Sequence, residues 1–521
     1  MQGNTSIPPL FDCSTLGPAL DWAALAFGSR EAYVDGDARM TFVQWASRSQ
    51  ALAAELSLRD VGPGDVVALM LAPGIDYAVA YAATLRLGAV VTGLNTRLGR
   101  LEVDRILAQC APKLVIYDPS TGLPQPVGRG IMQPDELKDA AGRTVTPIRW
   151  QGTSDAPAVI IWTSGTTGHP KGAWFDHAGL AAAVASAGAV GGHDQRRLLA
   201  TPFAHAGYMA KVWEQVANGT TFVLASQPWT AESMARVLID ERITVAGAVP
   251  TQWEKLLELP TLTPAHFPHL RIGVAATAAA SPTLIEAVRR KLGCPLVVRY
   301  AMTESPSITG TEPDDPPDMQ GGTVGRPQSG MSVRIVNAAG LPVAAGDSGE
   351  IQLGGACVMR GYWNDRDATA AAFDGEWLRT GDLGHLDEHD NLVLDGRARD
   401  MYIRGGYNVY PLEVENVLAA HPAVAKISIV GLPTAVIGEI GAAFVVPADL
   451  ANPPTLSDLR EFVRERLADY KRPDEIVLID ELPLTAMLKV DKDDLRHRFA
   501  DVVRERSGAR RGHQRPAGKR S

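Results

Sequence analysis

The feature that most constrains this chain is a series of short runs that are apolar at every position and alternate with helix-like stretches. Val66–Leu71, Val90–Val91 and Leu114–Tyr117 have no polar face, and helical patterns near Tyr77–Arg86 and Leu101–Cys110 separate them. A strand without a polar face must be covered on both sides, which predicts a parallel sheet with helices packed on each surface. The same alternation resumes at Val159 and runs to about Tyr300. Earlier, Thr41 with Gln44 forms a capping-box signal for a helix whose expected core positions are Trp45, Leu52 and Leu56.

Elsewhere the pattern changes. Asp118–Pro157 reads as a Gly/Pro-rich connection between the two alternating regions. From about Ser332 to Leu394 short alternating strands predominate (Ser332–Val336, Glu350–Leu353, Leu392–Leu394), predicting a small β-rich lobe. After Asp400 a compact α+β segment follows. Pro411 is placed to open a helix over Leu412–Ala420, strands are expected at Ile427–Val430 and Ala443–Val446, and a second helix at Leu456–Ala468. The fold class is therefore α/β, with two parallel-type αβ sublobes and a β-rich lobe, followed by a small α+β domain.

Charge and cysteine usage narrow the function. The 521 residues carry a formal charge of −9, which argues against a dedicated nucleic-acid binder. Residues 504–521 hold seven basic groups against Glu505, leaving −15 on the rest, and this Gly/Arg/Pro-rich tail reads as disordered. Cys13, Cys110, Cys294 and Cys357 are scattered, which suits buried thiols rather than a disulfide framework or zinc site. No secretory pattern is visible, so a cytoplasmic location is expected. The uncharged stretch Ala178–His193 is rich in Ala and Gly; it is too short for a span and reads as a buried helix, so no transmembrane segment is expected.

The most informative motif is Trp162-Thr163-Ser164-Gly165-Thr166-Thr167-Gly168-His169-Pro170-Lys171-Gly172, directly after strand-like Ala158–Ile161. Glycines and small hydroxylated residues leave backbone N–H groups free to wrap phosphate oxygens, and Lys171 adds a cation. A Walker A loop is excluded, because Pro170 stands where its second glycine belongs.

This segment resembles the signature loop of the adenylate-forming superfamily (AMP-dependent synthetases and ligases), and the chain looks most like its fatty-acyl-CoA synthetases. Further matches follow in the family's order: Pro202-Phe203-Ala204-His205-Ala206-Gly207, Tyr300-Ala301-Met302-Thr303-Glu304, Thr380-Gly381-Asp382, Gly396-Arg397-Ala398-Arg399-Asp400, Arg404-Gly405-Gly406-Tyr407 and Leu482–Lys492. The resemblance implies a large domain over 1–400, a mobile C-terminal domain over 401–503 turning at hinge residue Asp400, and the 504–521 tail. It implies ATP, Mg²⁺ and coenzyme A, with nucleotide contacts from Thr163, Ser164, Gly165, Thr166, Thr167, Gly168, Lys171, Tyr300, Asp382 and Arg397, and a pantetheine path along Gly405 and Gly406. Glu304 is expected to hold Mg²⁺, Thr303 to donate to the α-phosphate, and His205 to stand between acyl pocket and thiol.

Lys489 is implied as the adenylation lysine. Two anions, carboxylate and α-phosphate, must meet, so the site needs a point charge. On composition alone Lys489 is an ordinary surface lysine, Asp382 suits an Asx turn, and His205 suits a core histidine. Lys492, the other lysine of the segment, is the fallback for the adenylation role, since Leu488 stands in place of the usual Gly before Lys489. Departures from the family pattern are Ala301 for Gly, Ala276-Thr277-Ala278 for Gly-Gly-Ala, and Leu488 for the Gly before the lysine. The acyl pocket is expected at Tyr208, Met209, Trp213, Thr251, Ala276, Thr277, Ala278 and Met302, a mostly apolar set that favours a hydrophobic carboxylic acid. Tyr208 and Trp213 suit core positions equally well. The implied reaction makes acyl-adenylate and pyrophosphate, then acyl-CoA and AMP. Loading of a carrier-protein pantetheine, or a stop at the adenylate, is the alternative; a non-catalytic nucleotide-binding protein is the second. The pattern is compatible with a homodimer.

Overall fold

A computed structural model of the chain describes residues 13–127, 130–148, 152–164, 170–276, 280–404, 407–434, 438–485 and 490–498. By compactness the chain divides into two units. One comprises Met1–Arg334, Gln352–Arg379 and Asp390–Leu392; the other comprises Ile335–Ile351, Thr380–His389 and Val393–Ser521.

In the first unit, the described strands include a seven-stranded sheet. Its order is Gly361–Tyr362, Pro170–Asp176, Pro157–Ser164, Val90–Gly93, Val66–Met70, Leu114–Tyr117 and Gly130–Met132. The central strands pair in parallel, with Val66 opposite Val90, Val67 opposite Leu114 and Val91 opposite Val159. All residues of the three apolar runs that lie in strands are buried, as their lack of a polar face requires. Helices Ile75–Arg86 and Arg100–Cys110 connect them. The capping box at Thr41 and Gln44 forms and opens helix Phe42–Leu58. Trp45, Leu52 and Leu56 are all fully buried, and Trp45 donates from its indole N–H to Ala78 O at 3.0 Å. Truncating Trp45 to alanine is expected to cost about 3–5 kcal/mol.

A nine-stranded sheet in the same unit runs Arg326–Pro327, Ser305–Gly310, Leu296–Met302, Ile272–Ala276, Val245–Ala248, Arg196–Leu199, Thr221–Leu224, Glu31–Asp35, Ala38–Thr41. Two expectations need correction. Within 118–157 the chain is not only a connection: Gly130–Met132 adds an edge strand and Pro134–Ala141 is a helix that buries Leu137. The stretch Ala178–His193 is α-helical to Ala185 and then breaks into a 3-10 turn over Gly188–Val190, where Gly188 takes a positive φ of 56° that favours glycine. Of the cysteines, Cys110, Cys294 and Cys357 are buried, whereas Cys13 is half-exposed.

Residues 331–397 build the short alternating strands: Met331–Val336, Gly349–Gly355, Trp377–Leu386 and Phe373–Asp374, with Leu392–Arg397 paired to Trp377–Leu386. In the second unit, a sheet of Tyr407–Val409, Tyr402–Arg404, Gly438–Pro447 and Val424–Thr434 gains Glu475–Leu478 on Gly438–Pro447. Helices Pro411–Leu418 and Leu456–Arg464 pack Val414, Leu418, Leu459 and Val463 onto it. Pro411 occupies the first turn as expected, where its missing N–H costs nothing. No helix among the described residues is long and apolar enough to cross a membrane.

Candidate active site

The signature loop is suspended between two paired strands. Pro157–Ser164 and Pro170–Asp176 are antiparallel neighbours, with Thr163 opposite Lys171 and Ser164 opposite Pro170. Trp162 anchors this ribbon to the adjacent parallel strand by donating its indole N–H to Thr92 Oγ1 at 2.7 Å. Gly172 has no room for a side chain, since a Cβ there would lie 2.7 Å from Ile160 Cγ2. Gly165, Thr166, Thr167 and Gly168 lie outside the described residues, as does the side chain of Ser164. Lys171 is half-buried, with Nζ 5.2 Å from the centre of the Tyr362 ring.

Thr303 and Glu304 form the tip of a second hairpin. Strands Leu296–Met302 and Ser305–Gly310 are antiparallel, and Met302 pairs with Ser305, so only these two residues make the connection. Glu304 is 9% exposed, and its Oε1 accepts from the Tyr362 hydroxyl at 2.9 Å. Burial, aided by the Glu304 carboxylate, holds the Tyr362 phenol well above its ordinary pKa, so it remains a donor. Tyr300 lies on the same strand and is buried.

His205 is the N-cap residue of the short helix Ala206–Met209, and its Nε2 lies 2.8 Å from Asn95 Nδ2. An amide nitrogen only donates, so Nε2 accepts and a neutral ring carries its proton on Nδ1. Of the pocket candidates, Tyr208, Met209 and Trp213 are fully buried, while Thr251 and Met302 are half-buried. Tyr208 stacks on Phe203 with centroids 3.7 Å apart, and its hydroxyl lies 2.9 Å from that of Tyr33, which in turn donates to Gln215. Thr277 and Ala278, and the side chain of Ala276, lie outside the described residues.

In the second unit, Asp382 and Arg397 are brought together, with Arg397 Nε 3.2 Å from Asp382 Oδ1. Asp382 follows Gly381, which takes a positive φ of 69° within the strand Trp377–Leu386, and the Asp382 N–H donates to Thr380 Oγ1 at 3.0 Å. Asp400 pairs with Arg496 at 3.3 Å. Gly405, Gly406 and Lys489 lie outside the described residues. Next to the glycine pair, Tyr407 stacks on Tyr470 with centroids 4.6 Å apart. Lys492 is held at 2.9 Å by Glu415, whose carboxylate also accepts the Ile429 N–H.

Sequence reasoning missed Asn95, Arg360 and Tyr362. Their partners are far along the chain, so no local spacing marks them; the one available signal is Gly361, whose positive φ marks a special backbone site.

Comparison with known proteins gives the family. Residues 20–363 match the AMP-binding enzyme family and residues 413–489 match the AMP-binding enzyme C-terminal domain. The 3-[(3aS,4S,7aS)-7a-methyl-1,5-dioxo-octahydro-1H-inden-4-yl]propanoyl:CoA ligase of Rhodococcus jostii is 34% identical, over 93% of this chain and 98% of its own. The long-chain-fatty-acid–CoA ligase FadD13 of Mycobacterium tuberculosis is 30% identical, over 91% of this chain and 96% of its own. The structure of O-succinylbenzoate coenzyme A synthetase (MenE) from Bacillus subtilis, in complex with ATP and magnesium ion, superposes with a TM-score of 0.79 at 28% identity. That match covers 91% of this chain and 98% of the other. The chain belongs to the AMP-binding enzyme family and is an AMP-forming acid–CoA ligase.

Proposed function

We propose that the acid is a hydrophobic carboxylic acid, cyclic or long-chain, and that free CoA accepts the acyl group. The observation that carries this reading is the apolar, aromatic character of the segment around His205: Phe203, Tyr208, Met209 and Trp213 are buried and carry no charge, and the buried carboxylate that follows them, Glu214, is already taken by Arg197 at 2.5 Å rather than left for an amino-acid ammonium. The named substrates of the two curated relatives, a bicyclic propanoate and a long-chain fatty acid, support it.

Adenylation joins a substrate carboxylate to the α-phosphorus of ATP and releases pyrophosphate. Lys171 and the backbone of the signature loop would carry the phosphates, Thr303 would donate to the α-phosphate, and Asp382 with Arg397 would take the ribose hydroxyls. Lys489 would neutralise the meeting anions as they react. The donor chemistry fits Mg²⁺: Glu304 offers a carboxylate on a tight hairpin, and hard oxygen ligands are what the ion takes. When bound, Mg²⁺ neutralises phosphate charge as it develops. In the second half-reaction the CoA thiol attacks the same carbonyl and AMP leaves. Gly405 and Gly406 would admit the pantetheine arm and His205 would stand at its inner end. The domain boundary proposed for this work is Asp400, between 1–400 and 401–503.

The test is a panel of medium- and long-chain fatty, aryl and polycyclic acids with ATP, Mg²⁺ and CoA, read as AMP release and thioester. AMP and thioester with hydrophobic members, and none with amino acids, is the expected result. Acylation of a carrier protein with no CoA thioester from any acid would refute the free-CoA reading.

A further inference from the structure

The segment Met359–Trp363 ties the Glu304 hairpin to the strand that follows the signature loop. The Met359 N–H donates to Glu304 O at 2.8 Å, the Arg360 N–H to Trp174 O at 2.9 Å, and the Trp363 N–H to Gly172 O at 2.7 Å. Gly361 and Tyr362 pair antiparallel with Trp174 and Ala173. The Arg360 guanidinium holds the buried Asp176 carboxylate with bonds of 2.7 and 3.2 Å. Gly361 is required here: its φ is 147°, and a Cβ would lie 2.8 Å from Thr369 Cγ2. The Tyr362 N–H donates to Thr369 Oγ1 at 2.9 Å, which fixes the backbone from the other side.

The one side chain from this segment that meets both charged groups is Tyr362. Its hydroxyl donates to Glu304 Oε1, and its ring face lies 5.2 Å from Lys171 Nζ. A glutamate at a hairpin tip and a lysine beside a glycine-rich loop are both long, rotatable side chains, and each loses its value if it wanders or if the two charges collapse on each other. A phenol shared between them restrains the carboxylate by a hydrogen bond and the ammonium by its ring face.

We propose that Tyr362 is a positioning residue for the nucleotide half-reaction, holding Glu304 for the divalent cation and Lys171 for the phosphates. The inference rests on the assignment of those two residues to Mg²⁺ and ATP. Its consequence is a coupling: the hydroxyl governs how far Mg²⁺ tightens nucleotide binding, and the ring governs nucleotide binding with or without Mg²⁺.

Calorimetric titration of the full chain with α,β-methylene-ATP, in Mg²⁺ and in EDTA, separates the two parts. Tyr362→Phe, which removes only the hydroxyl, is expected to weaken binding about five- to tenfold in Mg²⁺ and to leave binding in EDTA unchanged. Tyr362→Leu is expected to weaken both. In the Glu304→Gln background, Tyr362→Phe should add nothing further, the signature of two residues acting as one unit. An unchanged thermal unfolding midpoint for Tyr362→Phe separates positioning from loss of fold. If Glu304→Gln blunts the Mg²⁺ effect and Tyr362→Phe does not, the inference is overturned while the site assignment stands. If Glu304→Gln leaves the Mg²⁺ effect intact, the assignment of Glu304 fails and the inference fails with it.

Discussion

The two units hold their functional charges by different means. In the first, Lys171 sits on a paired strand and Glu304 at a hairpin tip between two paired strands; Glu304 is buried and Lys171 half-buried. In the second, the charged side chains also pair with one another: Arg397 with Asp382, Arg496 with Asp400, Arg404 with Asp474 through two bonds, and Lys492 with Glu415. Strand pairing fixes a group before any ligand arrives. An ion pair with one partner open to solvent, as Arg397 is in its pair with Asp382, is individually weak, screened by salt and able to exchange partners. A phosphate-binding site benefits from the first arrangement. Groups that must serve two half-reactions in turn are better held by the second.

The sharpest break in that comparison is Lys489. It belongs to the second unit's segment, yet it is expected to carry the largest single effect. Lys489→Ala should reduce acid-dependent ATP–pyrophosphate exchange by about 10²–10³-fold, the range for removing a group aimed at developing charge. Thioester formation from supplied acyl-adenylate should stay within a few-fold of the parent. Equal loss of both steps would show that the lysine serves the whole site rather than adenylation.

Next comes acid stability, which should expose the first unit's reliance on burial. His177 is buried, and burial pushes its pKa down to about 4, with the Asp176 charge pulling partly the other way. The unfolded chain, with an ordinary value near 6.5, therefore binds a proton first as pH falls. The stabilising contribution is fully present above about pH 6.5, is lost between there and about pH 4, and is flat below. It amounts to about 3 kcal/mol at most. Thermal unfolding followed against pH should show this acid limb, and His177→Gln, which cannot titrate, should flatten it. An unchanged limb would assign the acid sensitivity to other groups.

A smaller effect is expected at Asp382, on the ion-paired side. Asp382→Ala should raise KM for ATP about tenfold with kcat largely held, the signature of uniform binding lost from the ribose. If kcat falls as much as kcat/KM, Asp382 acts in the transition state and the ribose role is wrong.

Legibility in the sequence follows the same division between local and distant causes. Apolar runs showed the parallel sheet because burial on both faces writes itself into consecutive residues, and the Thr41–Gln44 box showed a helix start because its two bonds span one turn. The helix over Pro134–Ala141 was hidden by surrounding Gly and Pro, although Gln133, Pro134 and Glu136 together make a legible start signal. The hairpin that carries Thr303 and Glu304 was marked by its motif. What holds it was not: Tyr362 lies 58 residues beyond Glu304, and Asn95 lies 110 before His205. Only the fold brings such pairs together, and no spacing rule predicts them. The helix after Thr455 ends at Arg464 rather than Ala468; Leu467, which suggested the longer helix, packs against the same core from the turn that follows.

The smallest expected effect settles which lysine of the Leu482–Lys492 segment does the chemistry. Lys492 Nζ is 2.9 Å from Glu415 Oε1, and both side chains are mostly buried. The same oxygen accepts the Ile429 N–H at 2.6 Å, so Glu415 joins helix Pro411–Leu418 to strand Val424–Thr434 and Lys492 packs onto that link. A lysine engaged in this way contributes to the fold of its own unit. Lys492→Met keeps the aliphatic stem and removes the charge, leaving Glu415 still bonded to the Ile429 N–H. It should therefore lower stability by about 1 kcal/mol and leave pyrophosphate exchange within about twofold of the parent. Exchange lost in Lys492→Met and retained in Lys489→Ala would reverse the assignment, and would also mean that an ion pair of the second unit opens during catalysis.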